Sequence, residues 1–185
     1  MINGMHYVEG ANPHPPSSLS AGGTCRDNVN NLTLLYFNAR SLVPKYSELC
    51  ALVEAYNSDI VCIVESWLGD CIFDEEVAIP GYRTHRLDRN RHGGGIIVYV
   101  CDETLISNLI PVSSHGMELL SLTVSNNSQC KVCISVLYRP PSSSATFFED
   151  LFLYLQCIDI THFSNYFLVG DFNVNFCNSL SPFLY

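Results

Sequence analysis

The sequence predicts a mixed α/β domain in which helices cover a mixed β-sheet. Apolar runs of strand length alternate with segments of helical period, and one strand–helix–strand unit has two wholly apolar strands. Such a unit favours a parallel strand pair joined by a right-handed crossover. With 185 residues, 48% of them hydrophobic and 15% charged, the chain is long enough to bury one core.

The ordered part is expected to begin near residue 32. Residues 1–31 are rich in Asn, Pro, Ser and Gly without a hydrophobic period, so they predict a disordered leader. Residues 32–185 are then expected to form the domain. The apolar run Leu32–Phe37 predicts its first strand and Ile60–Val64 its second.

A helix is predicted between these two strands. Ser41 is a candidate N-cap and Pro44 suits the first helical turn. Apolar residues at i, i+3, i+4 and i+7 predict one buried face, made of Leu49, Leu52, Val53 and Tyr56. The helix is expected to end at Asn57-Ser58.

Residues 66–93 predict a loop, with a turn at Pro80-Gly81. Strands are predicted at 96–100, 118–124 and 132–138, and the last two are expected to form a hairpin across a turn-forming Ser-Asn-Asn-Ser segment. A second helix is predicted over 147–160, with a capping box at Thr146 and Glu149. Its buried stripe is expected to be Phe148, Leu151, Phe152 and Leu155. The last strand is predicted at 166–169.

The charge of the chain is unevenly distributed. A formal net charge of −9 argues against a general electrostatic binder of nucleic acid, because phosphate neutralisation needs Lys and Arg. Four arginines nevertheless lie within nine residues: Arg83, Arg86, Arg89 and Arg91. This cluster predicts either a solvated loop or a local contact to phosphate or DNA.

The sequence gives no signal for a membrane or for secretion. It has no run of 18 uncharged apolar residues, and Met1–Gly10 has neither a basic nor an apolar signal region. Nine irregularly spaced cysteines predict reduced thiols. We therefore expect a nuclear or cytoplasmic protein that has no membrane partner.

Polar side chains collect where the predicted strands end. Asn38, Glu65 and Tyr138 each close a strand, and Asp171 and Asn173 follow the last one. In open α/β sheets, ligands gather beyond the strand ends, so these five residues are expected to converge on one site.

The residue types at these strand ends fit phosphoryl chemistry on a metal ion. Glu65 and Asp171 are hard oxygen donors suited to Mg²⁺, and the two amides add hydrogen bonds without adding charge. A tyrosine hydroxyl can donate to a developing oxyanion. Taken alone, each residue also fits a turn, a helix cap or a solvated edge. The Gly93–Gly95 triplet lacks the ending of a P-loop and predicts a turn instead.

Seven segments in order resemble the endonuclease/exonuclease/phosphatase superfamily, most closely the endonuclease domain of non-LTR (LINE-type) retrotransposons. They are Asn38–Leu42, Glu65–Leu68, Pro80–Tyr82, Arg86–Arg89, Gly93–Gly95, Tyr138–Pro141 and Gly170–Asn173. The resemblance covers about residues 32–176. It implies a four-layer α/β sandwich and a Mg²⁺-dependent phosphodiesterase, with Mn²⁺ as an alternative ion. It also implies that the enzyme nicks target DNA, which then primes a reverse transcriptase in the full-length polyprotein.

The same resemblance assigns roles to the strand-end residues. Glu65 would bind the metal and Asn38 would help to hold the metal–phosphate site. Tyr138 would contact the scissile phosphate. Asp171 would orient or deprotonate the attacking water, and Asn173 would stabilise the transition state.

One family motif is not found in this sequence. The family continues past Gly-Asp-Phe-Asn to a late Ser-Asp-His motif that carries the catalytic histidine, and no histidine here lies after Asp171. We therefore expect a C-terminally partial domain with weak or no activity, whose first sheet exposes an apolar face. Two alternatives remain: a non-catalytic remnant that binds DNA weakly through the Arg83–Arg91 segment, and a phosphatase of the same fold.

Overall fold

The computed structural model describes residues 3–9, 32–114, 116–125, 131–144 and 146–174. In these ranges two mixed β-sheets pack face to face, and one α-helix covers the outer face of each sheet. The order of layers is therefore helix, sheet, sheet, helix. This confirms the four-layer α/β sandwich that the resemblance implied.

The first sheet has five strands in the order β1-β2-β3-β5-β4. Their bounds are β1 Asn3–Glu9, β2 Thr33–Asn38, β3 Ile60–Val64, β4 Tyr82–Leu87 and β5 Ile96–Cys101. Strands β2 and β3 are parallel, as predicted, and helix α1 (Tyr46–Tyr56) connects them. Strand β5 runs antiparallel to β3, so its beginning lies beside the end of β3.

The start of α1 differs from the prediction. Ser41 does not cap it: its backbone has φ 77° and its amide donates to the Glu65 carbonyl 2.9 Å away. A 3₁₀ turn at Val43–Lys45, with Pro44 in its first turn, leads into the helix instead. The contact to the neighbouring strand end therefore takes precedence over the local cap.

The buried face of α1 is narrower than predicted. Leu49 and Val53 are buried against the first sheet, whereas Tyr56 is 41% exposed and lies outside that face. Asn57 ends the helix as expected, in a left-handed conformation at φ 46°.

The second sheet has four strands in the order β6-β7-β8-β9. They are β6 Leu105–Ser114, β7 Met117–Ser125, β8 Lys131–Tyr138 and β9 Asn165–Asp171. Strands β7 and β8 pair antiparallel, which confirms the predicted hairpin, although most of its turn lies outside the described residues. Strands β8 and β9 are parallel, and helix α2 (Phe147–Cys157) crosses between them.

Helix α2 also departs from its prediction. The capping box is wrong, because Thr146 has helical φ and ψ and its hydroxyl pairs with Ser144 rather than with the helix backbone. Phe147 and Leu151 are buried, but Phe148 and Phe152 are 43% and 60% exposed. The helix ends at Cys157 rather than 160. Among the described residues, no helix is both long enough and apolar enough to cross a bilayer.

Of the strands that the structure describes, the prediction missed three, β1, β4 and β6, and each of them lies at a sheet edge. Strand β4 lies inside the predicted loop and carries mostly polar side chains, and β6 contains Pro111. Edge strands tolerate polar residues and proline because one side of their backbone is unpaired. The backbone of β1 pairs with β2 within the region expected to be a leader; the rest of residues 1–31 lies outside the described residues.

The largest core lies between the two sheets. Side chains of β2, β3 and β5 pack there against side chains of β7 and β8. The expected exposed apolar face on the first sheet is therefore wrong, because the second sheet covers it. The cluster includes Leu34, Ile60, Cys62, Val98, Leu120, Ile134 and Val136.

Candidate active site

The polar residues predicted to converge lie at one end of the sandwich. In the first sheet, Asn38 pairs with Val64, so Glu65 follows at the same edge. In the second sheet, Tyr138 pairs with Asp171, which brings the ends of β8 and β9 together. The strand ends of both sheets therefore meet at one side of the inter-sheet core.

Asn38 joins the two sheets. Its side-chain nitrogen donates to Glu65 Oε1 at 3.1 Å and to Asp171 Oδ2 at 2.8 Å. Its oxygen accepts the Arg40 amide at 3.1 Å, which fixes the orientation of the side chain. Two carboxylates from opposite sheets are thus held within 3.1 Å of one amide nitrogen.

Glu65 is held by an unusual backbone. Its φ is 53° and that of Trp67 is 52°, both in the left-handed region. The Ser66 and Trp67 amides donate to the carbonyls of Gly95 and Gly94, each at 3.1 Å. These contacts compensate for the cost of the conformation, which is roughly 1–3 kcal/mol per residue.

Tyr138 is buried beside Glu65 and donates a hydrogen bond to it. Burial raises the pKa of Tyr138 above its usual range, and the charge and hydrogen bond of Glu65 raise it further. The phenol therefore keeps its proton across the physiological pH range and remains a hydrogen-bond donor.

The segment after β9 forms a tight turn. The Asn173 amide donates to Asp171 Oδ1 at 3.0 Å, and Asn173 has φ 47°. The side-chain nitrogen of Asn173 donates to the Arg139 carbonyl at 2.6 Å. Asn173 therefore lies next to Asp171 through its backbone, while its side chain is directed to the end of β8.

Arg139 secures this turn from the other side. Its guanidinium donates to the carbonyls of Phe172 and Asn173 at 3.4 and 3.3 Å. It also lies 5.4 Å from the ring centres of Phe147 and Phe148 at the start of α2. Arg139 thereby links α2 to the segment that carries Asp171.

The four clustered arginines do not form one surface. The predicted loop is wrong for Arg83 and Arg86, which lie on β4. Arg86 bonds Asp74 and Asp88, and Arg83 bonds backbone carbonyls near Asp102. Arg91 is exposed near Cys71. Arg89 differs from the other three arginines because it forms an ion pair with Glu118. Glu118 in turn lies directly opposite Tyr138 in the second sheet.

Two residues at the site were missed by sequence reasoning. Glu118 is the second residue of β7 and is 4% exposed; Tyr36 lies two residues before Asn38, on the same face of β2. Burial raises the pKa of Tyr36, and the charge of Asp171 raises it further. The alternation of side chains along a strand would have placed Tyr36, and the register of the hairpin would have placed Glu118.

The site has a donor set that fits a hard divalent cation. Two carboxylates close to one another repel unless a positive charge lies between them, and Mg²⁺ is commonly held by one or two carboxylates plus water and phosphate. Within the described ranges, no three His, Cys, Asp or Glu side chains form a metal-binding group. Such a donor set suits a cation that takes water and phosphate oxygens as its remaining ligands.

An open groove of about 540 Å³ borders the site. Its lining includes Arg89, Glu118, Pro140 and the serines at 142–144. Its volume is in the range of small-molecule and cofactor sites.

The sequence matches a family model over most of its length. The Endonuclease/Exonuclease/phosphatase family model matches residues 28–182. A comparison with curated proteins found no match.

Several solved structures are similar in fold. The catalytic domain of human Nocturnin with bound sulfate shares 16% identity at a TM-score of 0.61, over 77% of this chain and 64% of that one. An AP endonuclease from Archaeoglobus fulgidus shares 16% sequence identity at a TM-score of 0.60, over 76% of this chain and 57% of that one. The Neisseria 3′ phosphatase NExo, bound to a product DNA hairpin, shares 16% sequence identity at a TM-score of 0.58. The match again covers 76% of this chain and 57% of that one. This chain thus spans less than two thirds of each of these three structures.

Proposed function

The chain belongs to the endonuclease/exonuclease/phosphatase family, and from this we propose that it is a Mg²⁺-dependent DNA endonuclease domain of the non-LTR retrotransposon type. One observation carries the proposal: the Asn38 amide holds Glu65 and Asp171, from opposite sheets, at a single point. That arrangement is suited to a cation and a phosphate, because it concentrates negative charge beside hydrogen-bond donors.

Each side chain has a role in phosphodiester hydrolysis. Glu65 and Asn38 would hold the ion, which when bound would polarise the phosphoryl group. The protonated hydroxyl of Tyr138 would donate to a phosphate oxygen. Asp171 would orient a water and accept its proton. Asn173 would reach the phosphate after its amide leaves the Arg139 carbonyl.

Two features support DNA as the substrate. The structural neighbours include an AP endonuclease and a 3′ phosphatase bound to a DNA hairpin. In this chain, Arg89 lies at the groove beside the site, where it would contact a phosphate of the strand. The motifs at 65–68 and 138–141 favour a retrotransposon enzyme, in which the nicked DNA primes a reverse transcriptase of the same polyprotein.

We expect slow cleavage by these residues alone. Among the histidines whose side chains the structure describes, which are His85, His92 and His162, none makes a hydrogen bond to Asn38, Glu65, Tyr138 or Asp171. Loss of one member of a catalytic set commonly lowers the rate by orders of magnitude. The alternative is a non-catalytic remnant that binds DNA weakly through the Arg83–Arg91 segment, and Arg89 is the arginine of that segment best placed to do so.

A plasmid-nicking assay tests the proposal. The chain, Glu65→Ala and Asp171→Ala are incubated with supercoiled DNA with and without Mg²⁺. Glu103→Ala is the matched control, because Glu103 is an exposed carboxylate outside the site. Nicking that needs Mg²⁺, persists in the control and disappears in both site variants would support an endonuclease.

Two other results lead to the alternatives. DNA binding without nicking, weakened when the four arginines become Ala, supports the non-catalytic remnant. Release of phosphate from 3′-phosphorylated oligonucleotides without nicking supports a phosphatase. Nicking that persists in both site variants would overturn the assignment of the site.

A further inference from the structure

Glu118 is a buried carboxylate to which none of the proposed catalytic roles is assigned. It is the second residue of β7 and lies directly opposite Tyr138 in the sheet. Only 4% of it is exposed, and burial raises its pKa, whereas its hydrogen bonds and Arg89 lower it. A buried carboxylate is costly unless donors compensate it. The identity of those donors indicates what Glu118 does.

Both donors of Glu118 come from the segment that joins β4 to β5 of the first sheet. The Gly95 amide donates to Oε2 at 2.6 Å, and Arg89 Nη1 donates to Oε1 at 3.1 Å. Glu118 itself belongs to the second sheet. Its carboxylate therefore connects the two sheets at the end that carries the site.

The contact continues to Glu65 through the backbone. The Gly95 carbonyl accepts the Ser66 amide, and the Gly94 carbonyl accepts the Trp67 amide. Ser66 and Trp67 directly follow Glu65, which is in the left-handed conformation. The series Glu118, Gly95, Ser66, Glu65 thus consists of hydrogen bonds and covalent bonds only.

The two glycines are needed for this approach. A Cβ on Gly94 would lie 2.6 and 2.9 Å from the two carboxylate oxygens of Glu118. A Cβ on Gly95 would lie 2.6 Å from the Ser66 hydroxyl oxygen. Both glycines also have positive φ, 71° and 84°. The Gly-Gly turn is therefore shaped to accept Glu118 on one side and the Glu65 segment on the other.

We propose that Glu118 is a positioning residue that fixes the backbone carrying Glu65 and so sets the geometry of the cation site. The part of this inference that concerns the cation rests on the proposed function; the backbone contact does not. Residues that orient metal ligands typically change metal affinity by 10- to 100-fold when removed.

Three variants separate the effect of side-chain length at position 118 from the effect of its charge. Glu118→Gln keeps an oxygen at the right distance for the Gly95 amide but loses the charge. Glu118→Asp keeps the charge but is one methylene shorter and withdraws from that amide. Glu118→Ala removes both. A positioning role predicts that Gln preserves the Glu65 segment better than Asp, whereas a purely electrostatic role predicts the reverse.

The first readout is amide hydrogen exchange, which needs no metal. We expect faster exchange in residues 65–68 and 94–96 in the Asp and Ala variants, near-normal exchange in Gln, and unchanged exchange in α1 and in a Glu103→Ala control. If Ala fails to fold, the comparison of Gln with Asp decides. Equal exchange in all variants, or acceleration that extends to α1, would overturn the proposal.

The second readout is the affinity for Tb³⁺ in competition with Mg²⁺, followed by luminescence sensitised by Trp67, the single tryptophan of the chain. We expect about 10-fold weaker binding in Glu118→Ala and no further loss when the same change is made in Glu65→Gln. Additive losses in the double variant would contradict positioning through Glu65. If the unmodified chain binds no Tb³⁺, the proposed function fails, and hydrogen exchange still decides the role of Glu118.

Discussion

Asn38 and Asp171 lie 133 positions apart in the sequence and on different sheets, yet the Asn38 amide nitrogen is 2.8 Å from Asp171 Oδ2. The same nitrogen also donates to Glu65. An uncharged donor between two carboxylates moderates their repulsion and leaves a net negative site. The charge and the hydrogen bonds at this point determine how the site responds to substitution.

Asn38→Asp should make stability depend on Mg²⁺. The change replaces the shared donor by a third carboxylate. We therefore expect the free energy of unfolding to fall by about 1.5–3 kcal/mol without the ion. Mg²⁺ should restore part of this loss and raise the melting temperature more than in the unmodified chain. Thermal unfolding with and without Mg²⁺ measures both effects. Asn165→Asp, an exposed change at the start of β9, is the control, and an equal Mg²⁺ response in the two variants would count against the site.

Tyr138→Phe should lower stability by an amount that is constant at neutral pH. The pKa of Tyr138 in the folded chain is raised above its ordinary value of 10.0, chiefly by burial. Its stabilisation is therefore fully present below about pH 10 and is lost as pH rises through the folded pKa. Urea unfolding of both proteins from pH 6 to 11 should show a difference that is flat to pH 9 and then shrinks. A difference that changes between pH 6 and 8 would assign the titration to another group.

Tyr166 provides a control for the Tyr138→Phe variant. Tyr166 is half-buried, with its pKa raised to about 12 by burial, but it lies near the start of β9, at the other end of that strand from Asp171, and donates to Ser135 Oγ on β8 at 2.9 Å. Tyr166→Phe should leave cation affinity unchanged, whereas Tyr138→Phe should weaken it, because Tyr138 donates to Glu65.

Gly170→Ala should destabilise the chain more than an ordinary glycine substitution does. A Cβ at this position would overlap the Leu137 carbonyl oxygen, so the ladder between β8 and β9 would have to open. We expect the free energy of unfolding, measured with urea, to fall by more than about 3 kcal/mol. Gly81→Ala is the matched control, because Gly81 has φ 81° with nothing within 4 Å and should cost about 1 kcal/mol. Similar losses in the two variants would show that β9 does not pack on β8 as described.

Arg139→Lys should loosen the turn that carries Asp171. A lysine ammonium cannot reproduce the planar contacts to two carbonyls and two rings. Hydrogen exchange in residues 171–174 should accelerate about 10-fold. Arg83→Lys, an exposed change on β4, should leave that segment unchanged. Unaltered exchange in Arg139→Lys would remove Arg139 from the support of the site.

The sequence predicted the interior of the fold well and its edges poorly. Strands β2, β3 and β5 contain continuous apolar runs, and β7 and β8 are mostly apolar, so burial on both faces identifies them. Strands β4 and β6 each lie at a sheet edge, where pairing on one side is enough and polar residues are tolerated. The helix caps at Ser41 and Thr146 failed because tertiary and loop contacts occupy these residues.

The expectation that ligands bind beyond the strand ends likewise identified part of the site. Asn38, Glu65, Tyr138 and Asp171 follow or close apolar strands and do come together. Glu118 was missed because it lies near the start of its strand rather than at the end, and its relation to Gly95 depends on the packing of one sheet on the other. That packing has no local signature in the sequence.

Calorimetric titration of Mg²⁺ tests most directly whether Glu65 and Asp171 form one cation site. The unmodified chain should bind one ion, and Glu65→Gln and Asp171→Asn should each weaken binding by at least about 10-fold. Glu103→Gln should bind as the unmodified chain does. Identical isotherms for the unmodified chain and both site variants would contradict a shared site at the meeting point of the two sheets.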